Sequence, residues 1–203
     1  MQNSSPKKVS LISEAMVPTV YGEFLLSIYR DDVSDDESVL ISHYLDTSEA
    51  PFVRVHSECF TGEVLGSLKC DCREQLSLSL QEIQRRGSGA VVYLRQEGRG
   101  IGLANKIRAY ALQNKGADTI EANRKLGFET DLRTFDIAAL ILKDRNISEV
   151  TLNTNNPHKV ESLKSLGIKV KDRVPSFSTV NEHNKDYLET KMKHLGHLLG
   201  PLF

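Results

Sequence analysis

AVVYLRQEGRGIGLANKIR, residues 90–108, is the stretch that decides the fold class of this chain. Its first five residues are continuously apolar, which is typical of a strand buried on both faces of a sheet. A glycine-rich turn follows, and the residues after it predict a helix at about 103–114. A buried strand that passes through a short turn into a helix is a common unit of proteins that mix the two element types.

The same alternation continues on both sides of this unit. Pro157 suits the first position of a helix, and Gly167 suits its end. Apolar runs and helical spacings predict further strands at 21–30, 39–45, 52–57, 150–153 and 168–174, and further helices at 73–87, 134–143 and 187–199. We therefore predict an α/β (α+β) single domain over residues 17–200, with a mixed sheet packed by helices. Residues 1–16 are predicted to form a mobile N-terminal segment.

The composition and charge of the chain exclude several classes of protein. Its 203 residues are 39% hydrophobic and 26% charged, as expected for a soluble globular protein. The net charge of −1 offers no broad basic surface to a nucleic acid polymer. The longest apolar run, residues 137–142, is too short to span a membrane, and no signal peptide is predicted. We therefore expect a cytoplasmic protein with no membrane partner.

All three cysteines of the chain, Cys59, Cys70 and Cys72, lie within fourteen residues. Such an odd and small number argues against a disulfide framework. Thiolates are strong zinc ligands. Lys69 and Asp71 make the segment a polar loop, which argues against cysteines that merely pack as small apolar side chains. The sequence therefore predicts a zinc-binding loop.

Three thiolates without a clear fourth ligand indicate a reactive metal site. A structural zinc ion has four protein ligands, whereas a three-ligand ion keeps one position for a water that it acidifies. His56 or Glu58 could supply a fourth ligand and make the site structural, although both lie very near Cys59. In base deaminases, cysteine-ligated zinc activates water against a nucleobase carbon, and C8 of a purine is a similar electrophile.

The segment 95–108 carries four cationic side chains and one carboxylate around three glycines. A glycine-rich turn before a helix exposes backbone N–H groups, and the helix dipole adds positive charge, so this segment could cradle phosphates. It matches neither the P-loop pattern nor the dinucleotide-binding glycine pattern. For this segment alone, a flexible turn with solvated arginines is an equally good interpretation.

Three segments together resemble one enzyme family. They are RVHSECFTGEVLGSLKCDC (54–72), RQEGRGIGLANKIRAYALQ (95–113) and TNNPHKVESL (154–163), with DTIEANRKLGFETDLRTF (118–135) between the last two. In this order they resemble GTP cyclohydrolase II, and the resemblance runs from about residue 17 to residue 199. The cysteine spacing and the RQEGRGIG turn in combination are highly specific.

The resemblance implies an activity, cofactors and an assembly state. The family hydrolyses GTP by opening the imidazole ring of guanine, with release of formate from C8 and of the terminal phosphates as pyrophosphate. The product is a diaminopyrimidine ribosyl phosphate, and the reaction is the first step of riboflavin biosynthesis. The resemblance also implies one Zn²⁺ per chain, Mg²⁺ with the triphosphate, and a homodimer. Residues 17–200 would then be the catalytic domain.

The resemblance further implies roles for individual residues. The positions that match the zinc ligands are Cys59, Cys70 and Cys72. Asp131 matches the proposed proton acceptor, Arg133 the proposed nucleophile, and Tyr110 a tyrosine of the ring-opening chemistry. The positions that match GTP-contacting residues are Arg54, Val55, His56, Ser57, Glu58, Gln75, Glu97, Gly98, Arg99, Thr119, Thr154 and Lys159. The histidines expected at the surface are His43, His158, His183, His194 and His197.

Several points stay open at the level of sequence. As a nucleophile, Arg133 would need Asp131 to take a proton, because a guanidinium stays protonated. As an alternative, Arg133 clamps the α-phosphate while water attacks phosphorus. The acceptor that reads guanine could be Glu58, Gln75 or Glu97. Arg73 departs from the family, in which glycine is common; it would be strained at positive φ and unstrained if it begins a helix.

Two other functions fit parts of the pattern. One is a related cyclohydrolase that stops at a formylated intermediate. The other is a non-catalytic nucleotide-binding module stabilised by a structural zinc. The presence of Asp131, Arg133 and Tyr110 argues against the second.

Overall fold

The computed structural model describes residues 7–46, 49–116, 119–129 and 131–198. The strands there are β1 (Val9–Thr19), β2 (Gly22–Asp31), β3 (Glu37–His43), β4 (Phe52–Ser57), β5 (Gly89–Leu94), β6 (Glu149–Asn153) and β7 (Lys169–Val174). The helices are α1 (Phe60–Glu63), α2 (Cys72–Arg86), α3 (Gly102–Gln113), α4 (Thr119–Lys125), α5 (Asp136–Asp144), α6 (Pro157–Ser165) and α7 (Lys185–Leu195), and a 3-10 turn covers Glu97–Gly100. None of these described helices is long and apolar enough to cross a membrane.

The sheet is mixed, as predicted, and its strand order is β1-β2-β3-β5-β4-β6-β7. β1, β2, β3 and β5 pair antiparallel, whereas β5, β4, β6 and β7 pair parallel. Parallel strands end at the same edge of a sheet, so Ser57, Leu94 and Asn153 lie together at one edge. In sheets of this kind, ligands bind outside the carboxyl ends of the strands.

Helices cover both faces of the sheet. On one face, Ala90 and Val92 of β5 belong to a core that includes Ile141 of α5. On the other face, Val91 packs in a second core with Ile83 of α2. The AVVYL run is therefore buried on both faces, which explains why it is continuously apolar.

The predicted elements are present with boundaries shifted by a few residues, but two regions differ from the prediction. Residues 9–16, expected to belong to a mobile segment, pair with β2 as part of β1. Most side chains of this edge strand are exposed, so its composition resembles that of a tail. The helices α1 and α4 were not predicted, because four and seven residues are too few for a helical period to stand out.

Candidate active site

A cavity of about 580 Å³ lies at the carboxyl ends of the parallel strands, a size suited to a small-molecule ligand. Most of the residues predicted from the sequence line it: Arg54, His56, Ser57, Glu58, Cys59, Cys70, Cys72, Gln75, Glu97, Gly98, Arg99, Tyr110, Arg133, Thr154 and Lys159. Asp131 is not in this lining, but its carboxylate accepts a hydrogen bond from Arg133, which is. Val55 belongs to the core instead, since β4 alternates its side chains between core and cavity. The side chain of Thr119 lies outside the described residues, as does that of His194.

The three cysteine sulfurs form a compact cluster. They all lie within 4.8 Å of one another, and the Sγ atoms of Cys59 and Cys70 are 3.6 Å apart. Gly62 of α1 permits this approach, because a Cβ there would lie 2.8 Å from Sγ of Cys70 and 3.2 Å from Sγ of Cys59. The cysteines form no disulfide, and Cys72 is fixed as the first residue of α2. The cluster could hold a metal ion.

A buried ammonium group stabilises negative charge on this cluster. Lys106 Nζ donates to Cys59 Sγ at 3.1 Å and to Glu97 Oε1 at 2.8 Å. Hydrogen bonds from Cys70 and Cys72, together with Lys106, hold the pKa of Cys59 well below its ordinary value. Although burial opposes its charge, Cys59 and Glu97 hold the pKa of Lys106 above its ordinary value. Cys59 is therefore set up as a thiolate, the form that binds metals.

His56 does not join the cysteine cluster. Its Nδ1 accepts from Arg54 Nε at 3.0 Å, so its Nε2 donates to Glu63 Oε1 at 2.8 Å. Burial lowers the pKa of His56, which keeps the ring neutral. Glu63 also accepts from the Tyr93 hydroxyl at 2.6 Å, and burial raises the pKa of Glu63 to about 7. Within the described residues, the three cysteines have no histidine or carboxylate as a fourth member of their cluster.

Tyr110 of α3 lies beside the cysteines. Burial raises the pKa of its hydroxyl, and Cys70 and Cys59 are among the charges that act on it. Lys69 Nζ lies 5.2 Å and Lys106 Nζ 5.8 Å from the centre of the ring. The phenol therefore faces both the sulfur cluster and two ammonium groups.

The glycine-rich turn is a run of left-handed backbone. Gly98, Arg99, Gly100 and Gly102 have φ angles of 63°, 61°, 91° and 80°. Glu97 braces the turn, because its Oε1 accepts from Gly98 N at 2.8 Å and its Oε2 accepts from Phe60 N at 2.6 Å. Both carboxylate oxygens of Glu97 are thus engaged inside the protein. Successive N–H groups in such a turn favour an anion.

Asp131 and Arg133 form a two-pronged ion pair. Arg133 donates Nε to Asp131 Oδ1 at 2.8 Å and Nη2 to Asp131 Oδ2 at 2.5 Å. Burial opposes the charge of Arg133, but Asp131 raises its pKa above the ordinary value. Leu132 N donates to Arg99 O at 3.0 Å, which joins this pair to the glycine-rich turn.

Three further cations at the cavity have no carboxylate partner among the described residues. Burial lowers the pKa of Arg54 to about 10, and its donors go to neutral groups of His56, Asn153 and Gln75. Lys159 donates to a backbone carbonyl at 2.6 Å, and burial lowers its pKa. Both Nη atoms of Arg99 are buried, and no described residue accepts a hydrogen bond from either of them. Buried charge of this kind is costly unless an anion balances it.

Several site residues were missed by the sequence reasoning. The most notable is Asp71, which lies between two cysteines and is fully buried with Lys191 of α7. His197 also lines the cavity, and its Nε2 is buried with no hydrogen-bond partner among the described residues, so this histidine is only partly at the surface. Burial lowers the pKa of His197 to about 3. Arg73 is the second residue of α2 and has no positive φ, so it begins a helix without strain.

Comparison with known proteins identifies a family. The family model for GTP cyclohydrolase II matches residues 10–175. A protein named GTP cyclohydrolase-2 from Saccharophagus degradans is 48% identical over 193 residues, which cover 95% of this chain and 96% of that protein.

Riboflavin biosynthesis proteins named RibBA are also similar. The protein from Bacillus cereus is 48% identical over 93% of this chain, and the one from Bacillus mycoides is 49% identical over 92%. This chain spans about half the length of these two, at 48% and 47%. RibBX, a two-domain 3,4-dihydroxy-2-butanone 4-phosphate synthase from A. baumannii with a crystal structure, is more distant. It has a TM-score of 0.49 and 19% identity, and the match covers 82% of this chain and 40% of that one.

Proposed function

This chain belongs to the GTP cyclohydrolase II family, and we propose on that premise how its cavity performs the reaction. It is a hydrolase of riboflavin biosynthesis that acts on GTP, opening the imidazole ring of guanine and releasing formate and the terminal phosphates. The observation that carries the proposal is that a cluster of three thiols and a set of buried cations line one cavity. The first group suits ring hydrolysis, and the second suits a triphosphate.

The metal of this site is proposed to be zinc, one ion per chain, held by Cys59, Cys70 and Cys72. The residues present fit this ion, because three soft sulfur donors converge within 4.8 Å and Lys106 favours a thiolate. A zinc ion with three protein ligands supplies an acidified water at neutral pH. Both ring nitrogens of His56 are engaged with Arg54 and Glu63, which supports a ligand set made of the three cysteines without His56.

Near the thiols, Tyr110 and Lys106 are proposed to carry or hold protons. The Tyr110 hydroxyl lies beside the cluster and can orient a water or carry a proton to the ring nitrogen that leaves C8. Lys106 keeps negative charge on Cys59 while Glu97 holds the ammonium in place. Both Lys106 and Tyr110 lie on α3, the helix that follows the glycine-rich turn.

Cationic side chains of the cavity are proposed to bind the phosphates of GTP. Arg99 and Lys159 offer donors without carboxylate partners, and the left-handed turn adds backbone N–H groups. We favour Arg133 as a clamp on the α-phosphate. As a nucleophile, its guanidinium would have to lose a proton, whereas Asp131 stabilises the protonated form. Mg²⁺ is proposed to accompany the triphosphate, as in other enzymes that cleave phosphoanhydrides.

Guanine is proposed to be read by Glu58. Of the three candidate acceptors, Glu97 already uses both oxygens, and Gln75 is held between Arg54 and Asp71. Glu58 lines the cavity, and its described ionic contact is with the exposed Arg95 at 3.7 Å. A carboxylate there can accept from both N1–H and the amino group of guanine. Adenine would leave it unpaired, a penalty of roughly 1–3 kcal/mol for each group.

We also propose a cytoplasmic homodimer. Cys59, Cys70 and Cys72 are free thiols, as in reducing compartments. Val64, Leu65 and Leu68 are exposed next to α1 and are candidates for the subunit contact. Light scattering at several protein concentrations tests the assembly state.

The reaction itself is tested by incubating the protein with GTP and Mg²⁺. Mass spectrometry identifies the nucleotide products, and a coupled assay measures formate. Equimolar formate and ring-opened monophosphate are expected, with ATP as an inactive control. A formylated product that accumulates without free formate would favour the related cyclohydrolase, and no turnover would favour a binding module.

A further inference from the structure

The chain after β7 forms a strap along the cavity, here named the C-terminal strap (residues 176–198). Both of its ends are tied to Asn155, the second residue after β6. Ser176 N donates to Asn155 Oδ1 at 3.0 Å, and Leu198 N donates to Asn155 O at 2.8 Å. The strap therefore leaves the sheet edge and returns to it, with α7 between the two ties.

The middle of the strap is anchored to the cysteine turn. The Asp71 carboxylate is fully buried, and its Oδ1 accepts from Lys191 Nζ at 2.6 Å. Its Oδ2 accepts from Ser178 Oγ at 2.9 Å and from Gln75 Nε2 at 2.6 Å. One carboxylate between two cysteines thus fixes two points of the strap and one GTP-site side chain.

The strap presents polar groups to the cavity on its inner side. Tyr187, Lys191 and His197 all line the cavity. Arg99 lies 5.7 Å from the centre of the Tyr187 ring, so the strap contacts the glycine-rich turn. Lys191 and Lys159 line the same cavity, and Lys191 acts electrostatically on both Lys159 and His197, so its ammonium is one of the cations of this cavity.

We propose that the C-terminal strap is a wall of the GTP site and that Lys191 is a phosphate-binding residue positioned by Asp71. The proposal rests on the proposed function for the identity of the ligand. The family match ends at residue 175, so it assigns no role to the strap. An ammonium has three N–H donors; Asp71 takes one of them, and the others can reach a phosphate oxygen.

Lys191→Met is the direct test, and Lys193→Met is its matched control. Lys193 lies on the same helix but is 64% exposed and pairs with Glu189 at the surface. Because Lys191→Met leaves the Asp71 carboxylate buried without its cation, the double variant Asp71→Asn with Lys191→Met is included to remove both charges. Lys191→Arg tests rescue by a conserved charge. Zinc content and thermal unfolding are recorded for each protein.

Two probes separate a phosphate contact from a general loss of structure. Calorimetry measures the binding of inorganic triphosphate and of guanosine to every variant, and KM and kcat for GTP are measured by formate release. In Lys191→Met and in the double variant, triphosphate affinity should fall about tenfold or more. Guanosine affinity should stay unchanged, and the KM for GTP should rise more than kcat falls. Lys191→Arg should recover part of the loss, and Lys193→Met should match the unaltered protein.

An equal loss for both probes, or no loss for triphosphate, would overturn the role of Lys191. The proposed function can fail separately, because the unaltered protein would then release no formate from GTP. In that case the calorimetry of inorganic triphosphate still decides whether the strap contributes a phosphate-binding cation.

Discussion

At the scale of single residues, the geometry of the Asp131–Arg133 pair leads us to expect that positive charge alone does not replace Arg133. Asp131 occupies Nε and Nη2 of the guanidinium and orients the rest of the group at the cavity. A lysine keeps one positive charge but loses the planar fork that can serve a carboxylate and a phosphate at once. The proposed role of Arg133 therefore depends on the planar shape of its guanidinium.

Arg133→Lys is expected to lower kcat for GTP by about 100-fold or more, as for loss of one donor that stabilises a transition state. Formate and pyrophosphate release are measured separately, with circular dichroism as the check on folding. Arg145→Lys is the control, since Arg145 also forms an ion pair with a carboxylate, that of Glu14, and is not among the residues that line the cavity. Near-normal turnover of Arg133→Lys would remove this residue from the mechanism.

Tyr110→Phe is expected to impair ring opening while phosphate release persists. The phenol lies beside the cysteine cluster, away from the Asp131–Arg133 pair with which it shares no described contact. Mass spectrometry should show a formylated or unopened nucleotide. The free energy of unfolding should fall only by about 1 kcal/mol, for the lost hydrogen bond between the hydroxyl and Thr61. A large loss of stability with unchanged product ratios would mean that Tyr110 only packs.

His197 is expected to make the protein less stable in acid. Burial lowers its pKa to about 3 from 6.5, with further lowering by Lys191 and Arg133. Between these values the unfolded chain binds a proton that the folded chain does not, so stability falls as pH falls below 6.5. The slope attributable to one such group is at most about 1.4 kcal/mol per pH unit.

His197→Gln should remove this part of the acid sensitivity, which denaturant unfolding at several pH values would reveal. His158→Gln is the matched control, because His158 is exposed. If both variants and the unaltered protein lose stability in parallel as the pH falls, then the inference that the His197 ring stays neutral in the folded protein is wrong.

At the scale of elements, the four-residue helix α1 carries more of the site than its length suggests. It begins directly after Cys59, contains Gly62, and ends with Glu63, which binds His56. The two sulfurs nearest to Gly62 leave no room for a methyl group. A glycine is required here by the close approach of the cysteines and not by backbone conformation, because φ of Gly62 is not positive.

Gly62→Ala is therefore expected to displace the Cys70 thiol and to lower zinc occupancy well below one per chain. Elemental analysis of the purified variant measures this loss. Gly87→Asn is the control, because Gly87 ends α2 at a φ of 72° with open space around it, a conformation that asparagine tolerates. Full zinc occupancy in Gly62→Ala would show that the cysteine loop is looser than described.

Sequence patterns predicted most of the elements because their signals are local. The apolar run before Arg95 and the Asn156–Pro157 helix start are each complete within a few residues, and Asn156 indeed caps α6 by accepting from His158 N at 2.9 Å. The signals failed where they are weak over short lengths, as in α1. They failed also in β1, whose pairing with β2 depends on a partner and not on its own apolar pattern.

At the scale of the whole molecule, the net charge gives no sign of the proposed phosphate site. The net charge is −1, yet Arg54, Arg99, Arg133, Lys159 and Lys191 act on one another around one cavity. They come from five different parts of the chain. The resemblance to a family located four of these five, whereas Lys191 and its anchor Asp71 have no local signal and emerge only when α7 folds back onto the cysteine turn.

The proposed function also divides the reaction between the cysteine cluster and these cations. It assigns formate release to the sulfurs and Tyr110, and phosphate cleavage to the cations. The central claim is that ring opening needs the metal held by the cysteines, whereas triphosphate cleavage does not.

Cys59→Ser tests this claim most directly, with metal content, circular dichroism and nucleotide products measured on the same sample. The account predicts a folded protein that has lost its metal and its formate release but still converts GTP to a guanosine monophosphate with an intact ring. Loss of folding together with all activities would instead indicate a structural zinc. A folded, metal-free protein that still releases formate from GTP would contradict the account.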